Sequence, residues 1–527
     1  MIKIVLQSNK WHKTTTIAVR GYCFDSENNF YEGANFSQLF ATVKTGNDFC
    51  RLLQNLTGIF VVVVETENRL FAASDISRVM PLFYSLEKEC FTISDNPYNL
   101  LPDNPKIDKG AEEEFLLSSF TLDEKTLIEG VFQIKPACYL CFENEKITQK
   151  EYYSYCVTHS ELNNSETLEN KFSLRLENVF RRLIQSVQGR QIVVPLSGGY
   201  DSRLIVAMLK KLDYRNVLCY TFGRENNPEY EIAKKVAQSL GYPHHFICTG
   251  DRKFTENYTG DETFQRYYKF SGSFFNLFWM FEYFSVKYLI DTDLIESDAV
   301  FVPGHPGDFF AGSEASEFNI AHSDTQKQIV KKAAASVFLF GSPQKYSFSK
   351  ISKIIHTYSD CTAYSMFENF MCATKIAKRL SNAARLYEFF GYDVRLPFWD
   401  NEIVEFFRTL PPHLKQNKTF YKNYLKNNVF KEFAINYEKE LQVEHKKNPL
   451  QPLKEFVRPY TPKFIFRLLS THRDDTCMNE ITKPLLLDLK QHAIQLNTIQ
   501  ANEIFVRWYL MKIKEDFGFI IPKNKSV

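Results

Sequence analysis

The sequence lacks the features that mark several classes of protein. Its net charge is only +2 over 527 residues, and its acidic and basic side chains are interspersed, so no basic stripe predicts a nucleic-acid partner. The most apolar stretch, residues 274–290, is shorter than a bilayer span and contains charged side chains, so we interpret it as a buried, aromatic-rich helix. Residues 1–7 form a β-type run instead of the apolar core of a secretory signal. We therefore expect a cytoplasmic protein without a membrane partner.

Cysteine is used without a recognisable pattern. The 11 cysteines show no framework spacing, and an odd number without a secretory signal favours reduced thiols. Cys138 and Cys141 form one close pair, but no partner pair follows that could complete a zinc site. We expect these two side chains, which lie in a β-type run, to pack in the protein core.

Two regions of different periodicity follow one another along the chain. Up to about residue 155 the sequence is typical of strands, including the largely apolar run 56–65. Residues 158–166 are polar and aperiodic, which predicts a linker. After the linker, strands at 191–196, 217–222 and 245–248 alternate with amphipathic helices, an order typical of an α/β fold with a parallel sheet. The predicted domains are residues 1–157 and 167–527, and the pattern from about residue 323 is mostly helical.

The sharpest motif lies between the first of these strands and the helix predicted at 202–212. It reads Ser197-Gly198-Gly199-Tyr-Asp201-Ser202. Two glycines let the backbone approach an anion, the helix N-terminus adds partial positive charge, and the serine hydroxyls are donors. Asp201 suits Mg²⁺ coordination or an N-terminal cap. An ordinary strand-to-helix turn with a polar cap is the alternative, and a P-loop is excluded because the motif has no lysine.

This motif resembles the signature of ATP pyrophosphatases of the adenine-nucleotide α-hydrolase fold, and the rest of the chain resembles the glutamine-hydrolysing asparagine synthetase family. The segments that carry the wider resemblance are 56–60, 73–85, 126–136, 302–312, 394–400, 422–426 and, loosely, 445–450. The resemblance implies an amino-terminal, mainly-β glutaminase-like domain of the class II amidotransferase (αββα) type. A parallel-sheet ATP-pyrophosphatase domain with a helical carboxy-terminal extension would follow it.

The resemblance also implies where ATP and Mg²⁺ bind. ATP would lie over the carboxyl ends of the parallel strands. The implied nucleoside contacts are Leu196, Phe222 and Gly304, and the implied phosphate contacts are Ser197, Gly198, Gly199 and Ser202. Asp201 and Asp308 would hold Mg²⁺ on the departing pyrophosphate. The alternative for Asp308 is a simple turn residue after Gly307.

Two basic residues have two interpretations each. The resemblance implies that Lys422 places its positive charge beside the α-phosphate and later beside the tetrahedral oxyanion. A solvated helix lysine is the alternative. Arg395 could orient the nucleotide or substrate, or it could tie a helix to the sheet, and we favour the structural role.

The chain departs from the family pattern at two places. Residue 2 is Ile where an intact glutaminase domain has its nucleophilic cysteine, and the Asn-Gly-Glu turn that binds glutamine is missing. We therefore predict a degenerate amino-terminal domain without glutaminase activity. His305 stands where asparagine synthetases usually have glutamate. A histidine of near-neutral pKa could deprotonate an ammonium, or the change could mark a different acceptor.

The sequence thus predicts ATP-dependent amide formation through an acyl-adenylate. The carboxylate could be aspartate, a sugar uronate or a peptide side chain, and the amine could be ammonia, ammonia from a separate glutaminase, or an amine within the same substrate. Lasso-peptide cyclases and β-lactam synthetases resemble this pattern. A nucleotide-binding scaffold or regulatory subunit is the alternative. tRNA thiolation would need an acceptor cysteine and a basic face, which we do not find. A homodimer stays open.

Overall fold

The fold is taken from a computed structural model that describes residues 1–158, 168–314, 325–340, 345–437, 474–496 and 500–519. Two sheets occupy the amino-terminal part, and a parallel sheet surrounded by helices follows. The structure confirms the predicted α/β fold class, in which strand-rich residues precede a parallel sheet. Most of the predicted linker and the whole of segment 445–450 lie outside the described residues.

Eleven strands build the two amino-terminal sheets. They are β1 (Ile2–Val5), β2 (His12–Lys13), β3 (Ile17–Phe24), β4 (Phe30–Glu32), β5 (Thr57–Thr66), β6 (Arg69–Ser74), β7 (Phe83–Glu87), β8 (Cys90–Ser94), β9 (Phe132–Gln133), β10 (Cys138–Glu143) and β11 (Lys146–Glu151). The smaller sheet has the order β1-β8-β7-β9, and the larger has the order β11-β10-β6-β5-β3-β2, with β4 beside β3. The larger sheet is antiparallel throughout.

The two sheets pack face to face, and helices cover the outer face of the larger one. Phe91 on β8 stacks on Phe142 on β10, with ring centroids 4.4 Å apart. Helices α1 (Gly33–Gln38) and α2 (Gly46–Gln54) lie on the other face, where Phe49 stacks on Phe71 at 5.6 Å. The central strand β5 is therefore covered on both sides, which explains why its sequence is an unbroken apolar run. Helix α3 (Lys109–Ser118) lies between β8 and β9 along the chain.

The sheet that follows the two amino-terminal sheets is fully parallel. Its strands are β12 (Ile192–Pro195), β13 (Val217–Gly223), β14 (His244–Cys248), β15 (Val300–Phe301) and β16 (Asp393–Val394), in the order β14-β13-β12-β15-β16. Because β12 lies between β13 and β15, the chain reverses its direction of winding there, and the loops after β12 and β15 leave the same edge of the sheet side by side.

Helices surround this sheet. They are α4 (Leu168–Val187), α5 (Tyr200–Lys211), α6 (Pro228–Leu240), α7 (Arg252–Thr255), α8 (Glu262–Gly272), α9 (Tyr283–Asp291), α10 (Gly307–Phe310), α11 (Gln326–Val337), α12 (Lys345–His356), α13 (Ala363–Met371), α14 (Arg385–Phe389), α15 (Asn401–Arg408), α16 (Pro412–Lys415), α17 (Thr419–Tyr424), α18 (Met478–Gln491) and α19 (Ala501–Asp516). Helix α6 begins at an Asn227 cap with Pro228 behind it and ends at Gly241 in the left-handed conformation.

The helix predicted for residues 274–290 is wrong over its first half. Helix α8 stops at Gly272, and both Ser273 and Phe274 are left-handed, with φ of 44° and 60°. The following residues pair with the amino-terminal part: Thr121 N–H donates to the Phe275 carbonyl at 2.8 Å, and Leu277 N–H donates to the Ser119 carbonyl at 2.9 Å. The segment is buried and aromatic as expected, but interdomain backbone pairing replaces its helical hydrogen bonds.

The amino-terminal sheets dock on the edge of the parallel sheet. The guanidinium of Arg395, which follows β16, lies 4.0 Å above the ring of Tyr22 on β3. The same guanidinium donates to the Ser186 hydroxyl and carbonyl of α4, each at 2.9 Å. Arg395 therefore ties a helix to the sheet, which supports the structural interpretation of this residue. No helix in the described part of the chain is long and apolar enough to cross a membrane.

Candidate functional site

The first loop of the site leaves β12 through a fixed strand end. Leu196 is buried; its N–H donates to the Tyr220 carbonyl at 2.8 Å, and its carbonyl accepts from the Thr221 hydroxyl at 2.6 Å. Both partners lie on the neighbouring strand β13. The point at which the chain turns from strand to loop is therefore set by the sheet.

The loop itself is organised by its two serines. Ser197 N–H donates to the Ser202 hydroxyl oxygen at 3.0 Å, and the two hydroxyl oxygens lie 3.2 Å apart. Gly199 N–H donates to the Ser197 hydroxyl at 3.1 Å. Gly199 is the N-cap of α5, so the first N–H groups of that helix, from Tyr200 onward, point out of the helix start without intrahelical partners. These donors suit an anion.

Asp201 does not cap α5, because Gly199 occupies that position. Its carboxylate instead accepts the Tyr421 hydroxyl at 2.8 Å and the backbone N–H of Asp308. Burial, together with the negative charge of Asp308, raises the pKa of Asp201 to about 7, although the Tyr421 hydrogen bond and the charge of Lys418 act in the opposite direction. Asp201 is thus a half-buried carboxylate held beside a second carboxylate.

The second loop, after β15, reaches Asp201 because it is built from glycine. A Cβ on Gly304 would lie 3.0 Å from Ser202 N and 3.1 Å from Asp201 Cβ. A Cβ on Gly307 would lie 2.8 Å from Asp201 Cγ. The Gly307 distance is shorter than Cβ atoms show, and the Gly304 distances are tighter than most Cβ contacts, so glycine at both positions lets the two loops pack closely.

Asp308 begins the short helix α10 and points into solvent more than Asp201 does. Its side chain is 60% exposed and forms an ion pair with Lys418, which is 23% exposed. The structure therefore brings Asp201 and Asp308 to one place. Their roles as metal ligands stay a prediction.

Helix α17 supplies the other wall. Tyr421 is buried on this helix, and Lys422 follows it, half-buried and without an ion pair to any described residue. Lys418 is the left-handed N-cap that precedes this helix, three residues before Tyr421 and four before Lys422. Sequence analysis found Lys422 and missed Lys418 and Tyr421. Neither residue carries a sequence mark of the aspartate that it contacts.

His305 has a different character from the one expected. The peptide bond between His305 and Pro306 is cis, and the Nε2 atom is buried without a hydrogen-bond partner among the described residues. Burial lowers the pKa of His305 to about 4. The prediction of a near-neutral pKa is therefore wrong: at pH 7 the imidazole is neutral and a weak base.

The part of the site that the resemblance assigns to a nucleoside includes the end of β13. Phe222 is half-buried near the end of β13, and its ring lies 6.3 Å from that of Tyr220. Gly223 follows with φ of 127°, and a Cβ there would lie 2.3 Å from the Asp475 carbonyl oxygen. A segment from far along the chain thus covers the carboxyl end of β13, which the sequence did not indicate.

The donor set fits Mg²⁺. Asp201 and Asp308 are neighbouring carboxylates, and carboxylate oxygens are hard ligands. Mg²⁺ commonly binds one or two protein carboxylates together with phosphate and water oxygens. The described residues contain no group of three or more His, Cys, Asp or Glu side chains that could cage a metal. A metal at Asp201 and Asp308 would therefore complete its shell from a phosphate ligand and water.

Two family models match the chain. A glutamine amidotransferase domain matches residues 39–153, and an asparagine synthase model matches residues 177–268 and 355–468. Together these matches cover more than half of the chain, and they fall on the two parts that differ in architecture.

Curated proteins show the same similarity. The chain is 29% identical over 221 residues to a probable glutamine-hydrolysing asparagine synthetase of Acanthamoeba polyphaga mimivirus, covering 37% of this chain and 35% of that protein. It is 27% identical over 215 residues to glutamine-hydrolysing asparagine synthetase 3 of Bacillus subtilis (strain 168), covering 37% of this chain and 34% of that protein. The matched region thus spans about a third of the length of these relatives.

Proposed function

Because the chain belongs to the asparagine synthetase family, we propose that it forms an amide in an ATP-dependent reaction, activating a carboxylate as an acyl-adenylate. The observation that carries this proposal is the meeting of two loops at one edge of the parallel sheet. Glycine packing brings Asp201 and Asp308 together beside the Ser197–Ser202 turn. This arrangement suits a departing diphosphate and its divalent cation.

The residues divide the work as follows. The nucleoside lies between Leu196, Phe222 and Gly304, and the β- and γ-phosphates lie over Gly198, the serine hydroxyls and the start of α5. Asp201 and Asp308 would hold Mg²⁺, which would neutralise charge on the leaving diphosphate. The substrate carboxylate attacks the α-phosphorus, the α–β bridging bond breaks, and diphosphate leaves.

Lys422 supports the second half of the reaction. Its ammonium, free of a described ion pair, lies on the same helix as Tyr421, which contacts Asp201. We assign it to the α-phosphate and then to the oxyanion that forms when the amine attacks the mixed anhydride. The neutral His305 imidazole, with its free Nε2, is assigned to hydrogen bonding with the incoming amine instead of removal of its proton.

The amino-terminal domain is proposed to dock and shape the site without hydrolysing glutamine. Cys23, the cysteine nearest the start of that domain, is fully buried in β3, and burial raises the pKa of its thiol well above the ordinary value. A buried thiol is a poor nucleophile. Ammonia or an amine from another source would then complete the reaction.

Exchange between ATP and labelled pyrophosphate tests the proposal. A panel of carboxylates, including aspartate, uronates and peptides, is added to the full chain with Mg²⁺. We expect one class of carboxylate to drive exchange, and Asp201→Asn to lower its rate by about 100-fold or more. Asp213→Asn is the matched control, because Asp213 is an exposed turn residue after α5.

Two results would contradict the proposal. If the protein binds Mg²⁺·ATP but no carboxylate drives exchange, a scaffold role gains support. If Asp201→Asn exchanges as fast as Asp213→Asn, the two-aspartate site is not where the chemistry occurs. Glutamine-dependent release of ammonia by the purified chain would overturn the assignment of the amino-terminal domain.

A further inference from the structure

Lys418 lies where the two carboxylates of the site meet. Its ammonium forms an ion pair with Asp308, and its charge also acts on Asp201, whose pKa it lowers. Since 23% of the Lys418 side chain is exposed, the ammonium is partly withdrawn from water. One cation therefore faces both carboxylates.

The backbone fixes this lysine in an unusual conformation. Asn417 and Lys418 are both left-handed, with φ of 55° and 60°, and Lys418 is the N-cap of α17. Non-glycine residues adopt this conformation at a cost and keep it where the surroundings enforce it. Three residues earlier, Lys415 is anchored by a buried ion pair with Glu368 at 2.7 Å. The position of the Lys418 ammonium is thus set by the fold.

Lys422 makes a natural comparison. It lies four residues further along the chain, on helix α17, whereas Lys418 precedes that helix. Lys418 is paired with Asp308, whereas Lys422 has no ion pair with a described residue. The two lysines therefore differ in their pairing: the ammonium of Lys418 has a carboxylate partner, and that of Lys422 has none among the described residues.

We propose that Lys418 is the resident counter-ion of the Asp201–Asp308 pair and that a divalent cation arriving with nucleotide displaces its ammonium from Asp308. The proposal rests on the proposed function of this site. An ammonium and a dication cannot both sit on the same carboxylate without repelling each other. A cation that binds alone must break the ion pair and leave the ammonium without an anion.

Nucleotide removes that penalty. When phosphates lie over the Ser197–Ser202 turn, the released ammonium gains an anionic partner. Binding of the metal and binding of the nucleotide are then positively coupled through Lys418, by the same factor in both directions. The device makes the site take its metal together with nucleotide.

Manganese binding tests the coupling without any turnover. Free Mn²⁺ is followed by electron paramagnetic resonance, with and without adenosine 5′-(α,β-methylene)triphosphate. We expect Lys418→Met to bind Mn²⁺ alone about fivefold more tightly than wild type, the size of one ion pair. The enhancement of Mn²⁺ affinity by the nucleotide analogue should shrink in this variant. Lys422→Met, the matched control, should not tighten binding of Mn²⁺ alone.

Two further variants keep the result interpretable. Lys418→Arg retains the charge and should bind Mn²⁺ as wild type does, which separates charge from folding. Adding Asp308→Asn to Lys418→Met should abolish the gain. The inference is overturned if Lys418→Met binds Mn²⁺ alone no more tightly than wild type. Pyrophosphate exchange by the wild-type protein reports the proposed function separately, so either idea can fail alone.

Discussion

Burial decides what the histidine of the second loop can do. An imidazole moved away from water loses more stabilisation in its charged form than in its neutral form, so its pKa falls. This is why His305 has a pKa of about 4 when its ordinary value is 6.5. A residue whose identity suggested a physiological proton acceptor is therefore a neutral hydrogen-bonding group. Residue type alone does not reveal this, because the effect comes from the packing of the loop.

The depressed pKa of His305 predicts a pH dependence of stability. The unfolded chain takes up a proton near pH 6.5, but the folded chain resists until about pH 4, so this contribution is present above pH 6.5 and lost as pH falls toward 4. We expect the melting temperature of His305→Gln, relative to wild type, to rise between pH 7 and pH 5. Thermal scans across this range measure it. The exposed His413→Gln should show no such trend, and a flat difference for His305→Gln would contradict the assignment.

The residues of the site were predictable to different degrees. Ser197, Gly199 and Asp201 stand in one short motif behind an apolar strand, and local physics was enough to place them. Asp308 became a candidate through resemblance, and the glycine contacts now explain its position. Tyr421 could not be found, because a tyrosine on a helix carries no sequence mark of the carboxylate that it will meet.

At the scale of the elements, a buried ion pair joins helices α13 and α16. Lys415 Nζ lies 2.7 Å from Glu368 Oε2, with side-chain exposures of 1% and 4%. The Tyr364 hydroxyl donates to the other Glu368 oxygen at 2.9 Å. The Lys415 carbonyl also lies where a Cβ on Gly312 would be, so α16 packs on the end of the second loop. This contact joins helix α16 to the loop that contains Asp308.

Breaking one side of this pair should be far more damaging than removing both. We expect Glu368→Gln to lower the free energy of unfolding by about 3 kcal/mol, because it leaves a buried ammonium uncompensated. Adding Lys415→Met should restore most of this loss. Urea denaturation of the single and double variants measures the cycle. Glu177→Gln, which removes an exposed pair with Arg181, should change stability by less than about 0.5 kcal/mol.

An additive cycle, in which the double variant loses the sum of the two single losses, would contradict the role given to the Glu368–Lys415 pair.

Helices and strands were predicted well where the hydrophobic periodicity extends over many residues. Helix α4, with its apolar residues at helical spacing, and the strand–helix alternation up to β14 follow the sequence closely. The segment from 274 onward did not, because apolar composition cannot distinguish a buried helix from a buried extended segment. The backbone of residues 119–121 competes there for the hydrogen bonds, and nothing local encodes that partner.

At the scale of the whole molecule, the two parts share a charged and aromatic boundary. Arg20 of β3 pairs with Glu388 of α14 at 2.6 Å, with side-chain exposures of 9% and 15%. Lys10 pairs with Asp393 at 2.7 Å, and Asn401 N–H donates to the Thr57 hydroxyl at 3.0 Å. Partly buried pairs are screened less by salt than exposed ones. The boundary therefore couples the stability of one part to that of the other.

This coupling predicts a single cooperative unfolding. In hydrogen exchange measured by mass spectrometry across a urea series, peptides from β5 and from β12 should lose protection at the same midpoint. Arg20→Met should lower both midpoints together, because it leaves Glu388 partly buried and unpaired. Arg215→Met, at an exposed turn, serves as the control. Separate midpoints in wild type would show that the parts unfold independently.

The close approach of Asp475 to Gly223 has a consequence for biosynthesis. The backbone N–H of Arg224 donates to the Asp475 carbonyl at 2.8 Å, although about 250 residues separate these two segments in the sequence. As the polypeptide leaves the ribosome, the end of β13 emerges long before the segment that covers it. That sheet edge stays open to solvent and to chaperones until residue 475 clears the exit tunnel. The wall next to Phe222 is completed only then, so the proposed nucleotide site reaches its final geometry no earlier.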